Sequence, residues 1–163
     1  MKISTKGRYG FRILLHLALH GSKDHPVNLR EIADEQALSE KYIGRLIIEL
    51  RKAGIVKSVR GAGGGYILNR DPQKLTLLEI VEVMEGKISI LGCLANPEIC
   101  VHANACRARK FWLGINERFR KEFACYTMHM AMSDHTYTNR VLPDCVIDSG
   151  RSGRKFPCQG PER

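Results

Sequence analysis

No run of apolar residues in this 163-residue chain approaches the ~20 needed to cross a bilayer. The opening stretch, Met1 to Tyr9, passes straight into charged and polar side chains, without the apolar segment of an export signal. Internal repeats are absent, and acidic residues are scarce, 17 Asp and Glu against 26 Lys and Arg. The expected compartment is therefore the cytoplasm. Thiols stay reduced there, so crowded cysteines point to metal or redox chemistry before structural disulfides.

What is present is a net charge of +9, unevenly spread. Residues 1–70 carry +7, residues 71–106 carry −3 and residues 107–163 carry +5. A basic surface attracts polyanions and gains from counterion release on DNA. Charge alone does not separate that from ordinary solvation.

Periodicity predicts helices. Ile13, Leu14, Leu17 and Ala18 share a face over 8–19, which Gly21 can end. Asn28 with Glu31 three residues on predicts a capped second helix, and Ser39 caps a third running to about Ala53. That third helix buries Ile43, Leu46, Ile47 and Leu50 and can stop at Gly54. A β-hairpin is expected from Ile55–Arg60 and Tyr66–Asn69 around a glycine-rich tip. Thr76 and Glu79 open a fourth helix. From Arg107 a long helix places Trp112, Ile115, Phe119, Phe123, Tyr126 and Met130 on one stripe, with Cys125 as a small apolar residue. Beyond Ser133, prolines, glycines and scattered charges predict a disordered tail holding Cys145 and Cys158, to which no role is assigned.

Two short helices joined by a tight turn and followed by a hairpin have the order of a winged helix-turn-helix. The second helix of such a unit enters the major groove, where its N-terminal side chains reach base edges. Here Arg45 is placed to read guanine, Lys41 a base or phosphate, and Ser39 and Tyr42 phosphates, while Gly44 leaves the backbone bare. In the wing, Gly63 and Gly64 give a tip without bulk and Arg60 suits the potential of a narrow minor groove. A nucleotide-binding phosphate loop is a poor fit, because no Lys-Ser or Lys-Thr follows the glycines.

Three segments carry a resemblance: Lys2-Ile3-Ser4-Thr5-Lys6-Gly7-Arg8-Tyr9, Leu50-Arg51-Lys52-Ala53-Gly54-Ile55-Val56, and Ser58-Val59-Arg60-Gly61-Ala62-Gly63-Gly64-Gly65-Tyr66. Over about residues 1–130 the chain resembles the winged-helix regulators that include IscR, NsrR, RirA and CymR. The resemblance implies a homodimeric bacterial transcription regulator. It places Ser39, Lys41, Tyr42, Gly44 and Arg45 on the recognition helix and Arg60 on the wing.

Cys93, Cys100 and Cys106 stand within fourteen residues, on a loop also holding Asn96, Pro97 and Asn104. Such a loop can wrap a compact centre, and iron–sulfur clusters normally take four thiolate-type ligands. The resemblance implies that these three cysteines hold a two-iron (2Fe-2S) or four-iron (4Fe-4S) cluster. Two departures bear on the fourth ligand: Arg109 stands where IscR-like members have histidine, and Arg8 where NsrR-like members have aspartate. An open iron position favours the four-iron form in a sensing role. Zinc on a Cys3His set with His102, a metal-free thiol switch, and control by a partner enzyme as in CymR-like relatives stay open. An enzyme is not expected, since His102 is the one histidine near the cysteines.

The expected architecture is mainly α with a small β-hairpin: a winged helix-turn-helix over 1–90, a cysteine loop over 91–106, a dimerisation helix over 107–132 and a tail over 133–163. Double-stranded operator DNA and a second copy of the chain are the expected partners.

Overall fold

A computed structural model describes residues 3–61 and 63–133; the tail expected after Ser133, with Cys145 and Cys158, lies outside them. The first helix, α1 (Thr5–His20), starts a turn earlier than periodicity indicated because Ser4 caps it, its hydroxyl accepting from the Lys6 amide at 3.1 Å. A distant group completes that end: one Glu85 carboxylate oxygen accepts from the amides of Ser4, at 2.8 Å, and Gly7, at 3.2 Å. A carboxylate there also meets the positive end of the helix dipole.

The helix-turn-helix forms as its caps dictate. Asn28 accepts from the Glu31 amide at 2.8 Å to open α2 (Leu29–Gln36), and Ser39 accepts from the Tyr42 amide at 3.3 Å to open α3 (Glu40–Lys52). Between them Ala37 adopts a left-handed φ of 52°, unusual for a residue with a side chain, and reverses the chain in little length. Ile43, Leu46, Ile47 and Leu50 are buried, as their spacing predicted. Gly54, with φ 71°, turns the chain out of α3.

Strands β1 (Val56–Val59) and β2 (Gly65–Leu68) pair antiparallel, from Val56 opposite Leu68 to Val59 opposite Gly65. Val27 adds a further rung on β2 by exchanging both backbone hydrogen bonds with Tyr66, at 3.0 and 2.8 Å. That rung explains Gly65, because a Cβ there would run into the Val27 carbonyl.

Thr76 accepts from the Glu79 amide at 3.2 Å and opens α4 (Leu77–Glu85), which buries Ile80, Val81 and Met84 and stops at Gly86, φ 84°. Glu79 itself accepts a hydrogen bond from Arg70 at 2.5 Å. Helix α4 lies close along α1: a Cβ on Gly7 would collide with the Glu85 carboxylate, and one on Gly10 would stand 2.7 Å from Met84 Cγ. The core lies between these helices and α3, around Ile13, Leu14, Ile47, Leu50, Ile80 and Met84. Full burial of such side chains contributes roughly 1.5–3 kcal/mol each.

Beyond α4 come a short α5 (Gly92–Ala95), a 3-10 turn at Pro97–Ile99, α6 (Arg107–Cys125) and α7 (Met128–Met132). The single helix expected over 107–132 is thus two. It breaks at Tyr126 because the chain turns back to the start of α4. The Leu77 amide donates to Tyr126 O, the Met128 amide donates to Leu75 O, both at 2.8 Å, and Thr127 pairs with Thr76. Met128 enters the core with no exposed surface, and the Thr127 hydroxyl caps α7. These gains outweigh continuing one helix. Tyr126 and Met130 consequently leave the α6 stripe, and Cys125 is exposed rather than packed as an apolar residue. Phe111, Trp112 and Ile115 are exposed by 67, 40 and 39%.

The two wing positions are expected to respond differently to a side chain. Gly65→Ala should cost about 1–3 kcal/mol, whereas Gly63, with nothing near its would-be Cβ, should tolerate alanine within about 0.5 kcal/mol. Urea unfolding of the two variants checks this.

Candidate DNA surface and cysteine loop

The exposed side of α3 carries Lys41 and Arg45. The Ser39 hydroxyl accepts in its cap and still has its O–H to donate to a phosphate oxygen. Tyr42 is half-buried, its ring edge-on to Tyr9 with centroids 6.2 Å apart. The Arg45 guanidinium lies 5.5 Å from the Tyr42 ring centre. A Cβ on Gly44 would meet only Leu29 Cδ2, at 3.9 Å, so internal packing does not demand glycine there. In the wing Arg60 is exposed, Gly61 has φ 124° and Gly63 faces open space. Gly64 has an internal reason: a Cβ would come within 2.5 Å of Val59 O. It shapes the tip from inside, whatever else it touches.

Sequence reasoning did not bring α1 into this surface. The structure places the guanidiniums of Arg8 and Arg12 4.9 and 5.7 Å from the Tyr9 ring centre, beside Tyr42. The available signal was two arginines four apart flanking a tyrosine, which puts them on one helix face.

The cysteines occupy three different local settings. Cys93 lies on α5, Cys100 follows the 3-10 turn, and Cys106 caps α6, its sulfur accepting from the Arg109 amide at 3.3 Å. All three are half-buried and outside any disulfide. Arg109 Nε also donates to Cys93 O at 3.1 Å, so the residue standing in a histidine's place ties the two ends of the loop together. His102 is exposed in a turn. Among the described residues no three His, Cys, Asp or Glu side chains are gathered to hold a metal. Neither the three-cysteine site nor the alternative Cys3His set with His102 is assembled among these residues. By chemistry the donors suit iron–sulfur ligation at three of the usual four positions; by position they are reachable but not drawn together.

Side chains of α6 fasten that helix to α4 and to the segment that leads into this loop. Asn116, buried, accepts from the Ile90 amide at 3.0 Å. Arg120 pairs with the Glu82 carboxylate through both its terminal nitrogens and donates to Ile88 O at 3.2 Å, while the Ile88 amide donates to Glu82 at 3.0 Å. Burial alone would raise the Glu82 pKa, but the Arg120 hydrogen bonds, the Ile88 amide and the charges of Arg120 and Lys87 hold it below the ordinary value. Arg120 is raised in turn, chiefly by its hydrogen bond to Glu82.

No described helix is long and apolar enough to cross a membrane. The α1–α2–α3 unit with its two-stranded wing defines a winged helix-turn-helix protein. The Rrf2 family model, described as an iron-dependent transcriptional regulator, matches residues 3–134, and the chain belongs to this family of transcriptional regulators. CymR of Bacillus subtilis is 42% identical over 122 residues, 74% of this chain and 82% of that one. Its solved structure, called the global cysteine regulator of that organism, covers 83% of this chain and 99% of its own, with a TM-score of 0.66 and 37% identity. IscR of Xenorhabdus nematophila is 36% identical over 118 residues, 72% of this chain and 71% of its own. The oxidised form of Staphylococcus aureus CymR matches with a TM-score of 0.63 at 30% identity, covering 83% of this chain and 99% of that one.

Because the Glu82 pKa is depressed on folding, its pair with Arg120 stabilises fully above the unfolded carboxylate value, about pH 4.3. The contribution fades as pH falls through the lower folded value. Glu82→Gln should cost about 1–3 kcal/mol at neutral pH and flatten the stability profile below pH ~5, as measured by denaturant unfolding across pH.

Proposed function

We propose that this chain binds operator DNA as a homodimer and that Cys93, Cys100 and Cys106 control its grip by holding an iron–sulfur cluster. The observation that carries the proposal is the position of the three thiols. They sit half-buried on the loop that leads into α6, and α6 is fastened to α4 by Arg120 and to the segment after α4 by Asn116 at Ile90. The family's description as iron-dependent supports iron as the metal. When bound, a cluster supplies redox-sensitive sulfur-ligated iron. The four-iron form is favoured over the two-iron form because the loop offers three thiolates and so leaves one iron position open to exchange.

The exposed apolar face at Phe111, Trp112 and Ile115 suits a second copy of α6. A two-fold dimer presents two α3 helices to half-sites about 34 Å apart, so affinity depends on their spacing. Ser39, Lys41, Tyr42, Gly44 and Arg45 face the major groove in this reading, and Arg60, Gly63 and Gly64 the minor groove. Ordering of the 91–106 loop shifts that spacing, and a coupling of ~1–3 kcal/mol changes affinity by roughly 5–150-fold. There is no catalytic step.

A second reading is favoured by one observation: the thiols are not gathered for a metal. Reversible thiol oxidation, or binding of a metabolic enzyme, would then set the same grip. Similarity to a CymR solved in an oxidised form supports the former.

Anaerobic purification separates these readings. Protein with bound iron and sulfide, whose DNA affinity changes when both are removed, supports the cluster; colourless protein after reconstitution excludes it. In that second case, DNA binding that changes with oxidant and becomes indifferent in Cys100→Ala supports the thiol switch. For the DNA surface, Arg45→Ala should relax base preference by about 1–3 kcal/mol, whereas Arg60→Ala should weaken binding most at A·T-rich flanks. Competition binding against selected duplexes measures both.

A further inference from the structure

We propose that Arg8 and Arg12 of α1, held on the Tyr9 ring, form with Arg45 one continuous phosphate-gripping surface, making α1 a DNA-contacting element beside α3 and the wing. The inference rests on the winged-helix reading above and adds a contact element to it.

The geometry runs through two tyrosines. Tyr9 of α1 and Tyr42 of α3 meet edge to face at 6.2 Å and 90°. Arg8 and Arg12 lie 4.9 and 5.7 Å from the Tyr9 ring centre, and Arg45 lies 5.5 Å from that of Tyr42. Both helices are anchored in the same core by Ile13, Leu14 and Leu17 on one side and Ile43 and Ile47 on the other. The spacing between the α1 arginines and Arg45 is therefore fixed by packing, not by flexible stems.

Charge decides what the surface can hold. Lys6, on the same helix, is neutralised by Glu49 of α3 at 2.5 Å. Among the described residues Arg8, Arg12 and Arg45 have no carboxylate within ion-pair distance, and all three are exposed. Three unpaired guanidiniums at cation–π distance from aromatic rings present planar donor forks, the geometry that suits phosphate oxygens. That contact also restricts the arginine stems before a ligand arrives, which lowers the ordering cost of binding. A base-reading role for Arg8 and Arg12 is not required, since phosphate contacts set register without carrying sequence information.

The test uses the full chain and two fluorescent duplexes, one selected by the wild-type protein from a random pool and one of unselected sequence. Binding is followed by anisotropy across a salt series. Arg8→Ala with Arg12→Ala removes two contacts from each subunit of the dimer, so it should lower affinity for both duplexes by the same factor and make the salt dependence shallower by about 3.6 logarithmic units per decade, about 0.9 per lost phosphate contact. Between about 50 and 200 mM salt the wild type should then lose roughly 150-fold more affinity than the variant. Arg8→Lys with Arg12→Lys should keep the wild-type slope. If the alanine pair unfolds, Arg8→Gln with Arg12→Gln keeps much of the stem over Tyr9 and reads the slope instead. An unchanged slope, or a loss confined to the selected duplex, overturns the proposal while leaving the regulator reading intact. Failure of the wild-type protein to bind either duplex overturns the regulator reading itself.

Discussion

The close approach of α1 and α4 is the constraint on which the rest of the molecule depends. Gly7 and Gly10 remove the side chains that would hold the helices apart, and Glu85 closes the gap by accepting from the amides of Ser4 and Gly7. On one side of this joint α1 packs against α3 and carries the arginine–tyrosine surface. On the other, α4 leads into the loop of Cys93, Cys100 and Cys106. A displacement of α4 that reaches α1 crosses a seam only a backbone wide. Close-packed seams of this kind transmit displacement because they have little free volume to absorb it.

A second fastening lies where the loop meets α6. Glu82 and Arg120 are each about a quarter exposed, and they are joined by hydrogen bonds to the Ile88 backbone as well as to each other. Such a pair gains specificity from geometry more than from bare attraction, since desolvation offsets much of the Coulomb energy. Asn116 adds a neutral tie to Ile90 beside it. The segment leading into the cysteine loop is therefore held to two helices at once, at Ile88 and Ile90, while Val101 within the loop is 96% exposed.

Much of the DNA-reading unit was legible in the sequence because its determinants are local. Asn28, Ser39 and Thr76 cap helices by hydroxyl or amide contacts two or three residues along the chain, and Gly54 takes the left-handed turn its position suggested. What escaped depends on partners far away in sequence. Glu85 caps a helix some eighty residues earlier, Tyr126 leaves α6 because Leu77 offers a backbone partner, and Gly65 is small because Val27 passes against it. Arg8 and Arg12 gain their setting only through Tyr42, which packs beside Tyr9 from another helix. The cysteine spacing was plain, but spacing does not say whether three sulfurs converge, and here each is fixed by a different local turn.

The return of the chain after α6 has a mechanical meaning. Helix α6 is pinned at its beginning, where Arg109 binds Cys93 O, and again at its end, where Tyr126 O receives the Leu77 amide. A rod clamped at both tips cannot dissipate a pull by fraying at the far end. It is braced between those tips as well, where the Arg120 guanidinium of α6 grips Glu82 of α4, so a load on it is handed to α4.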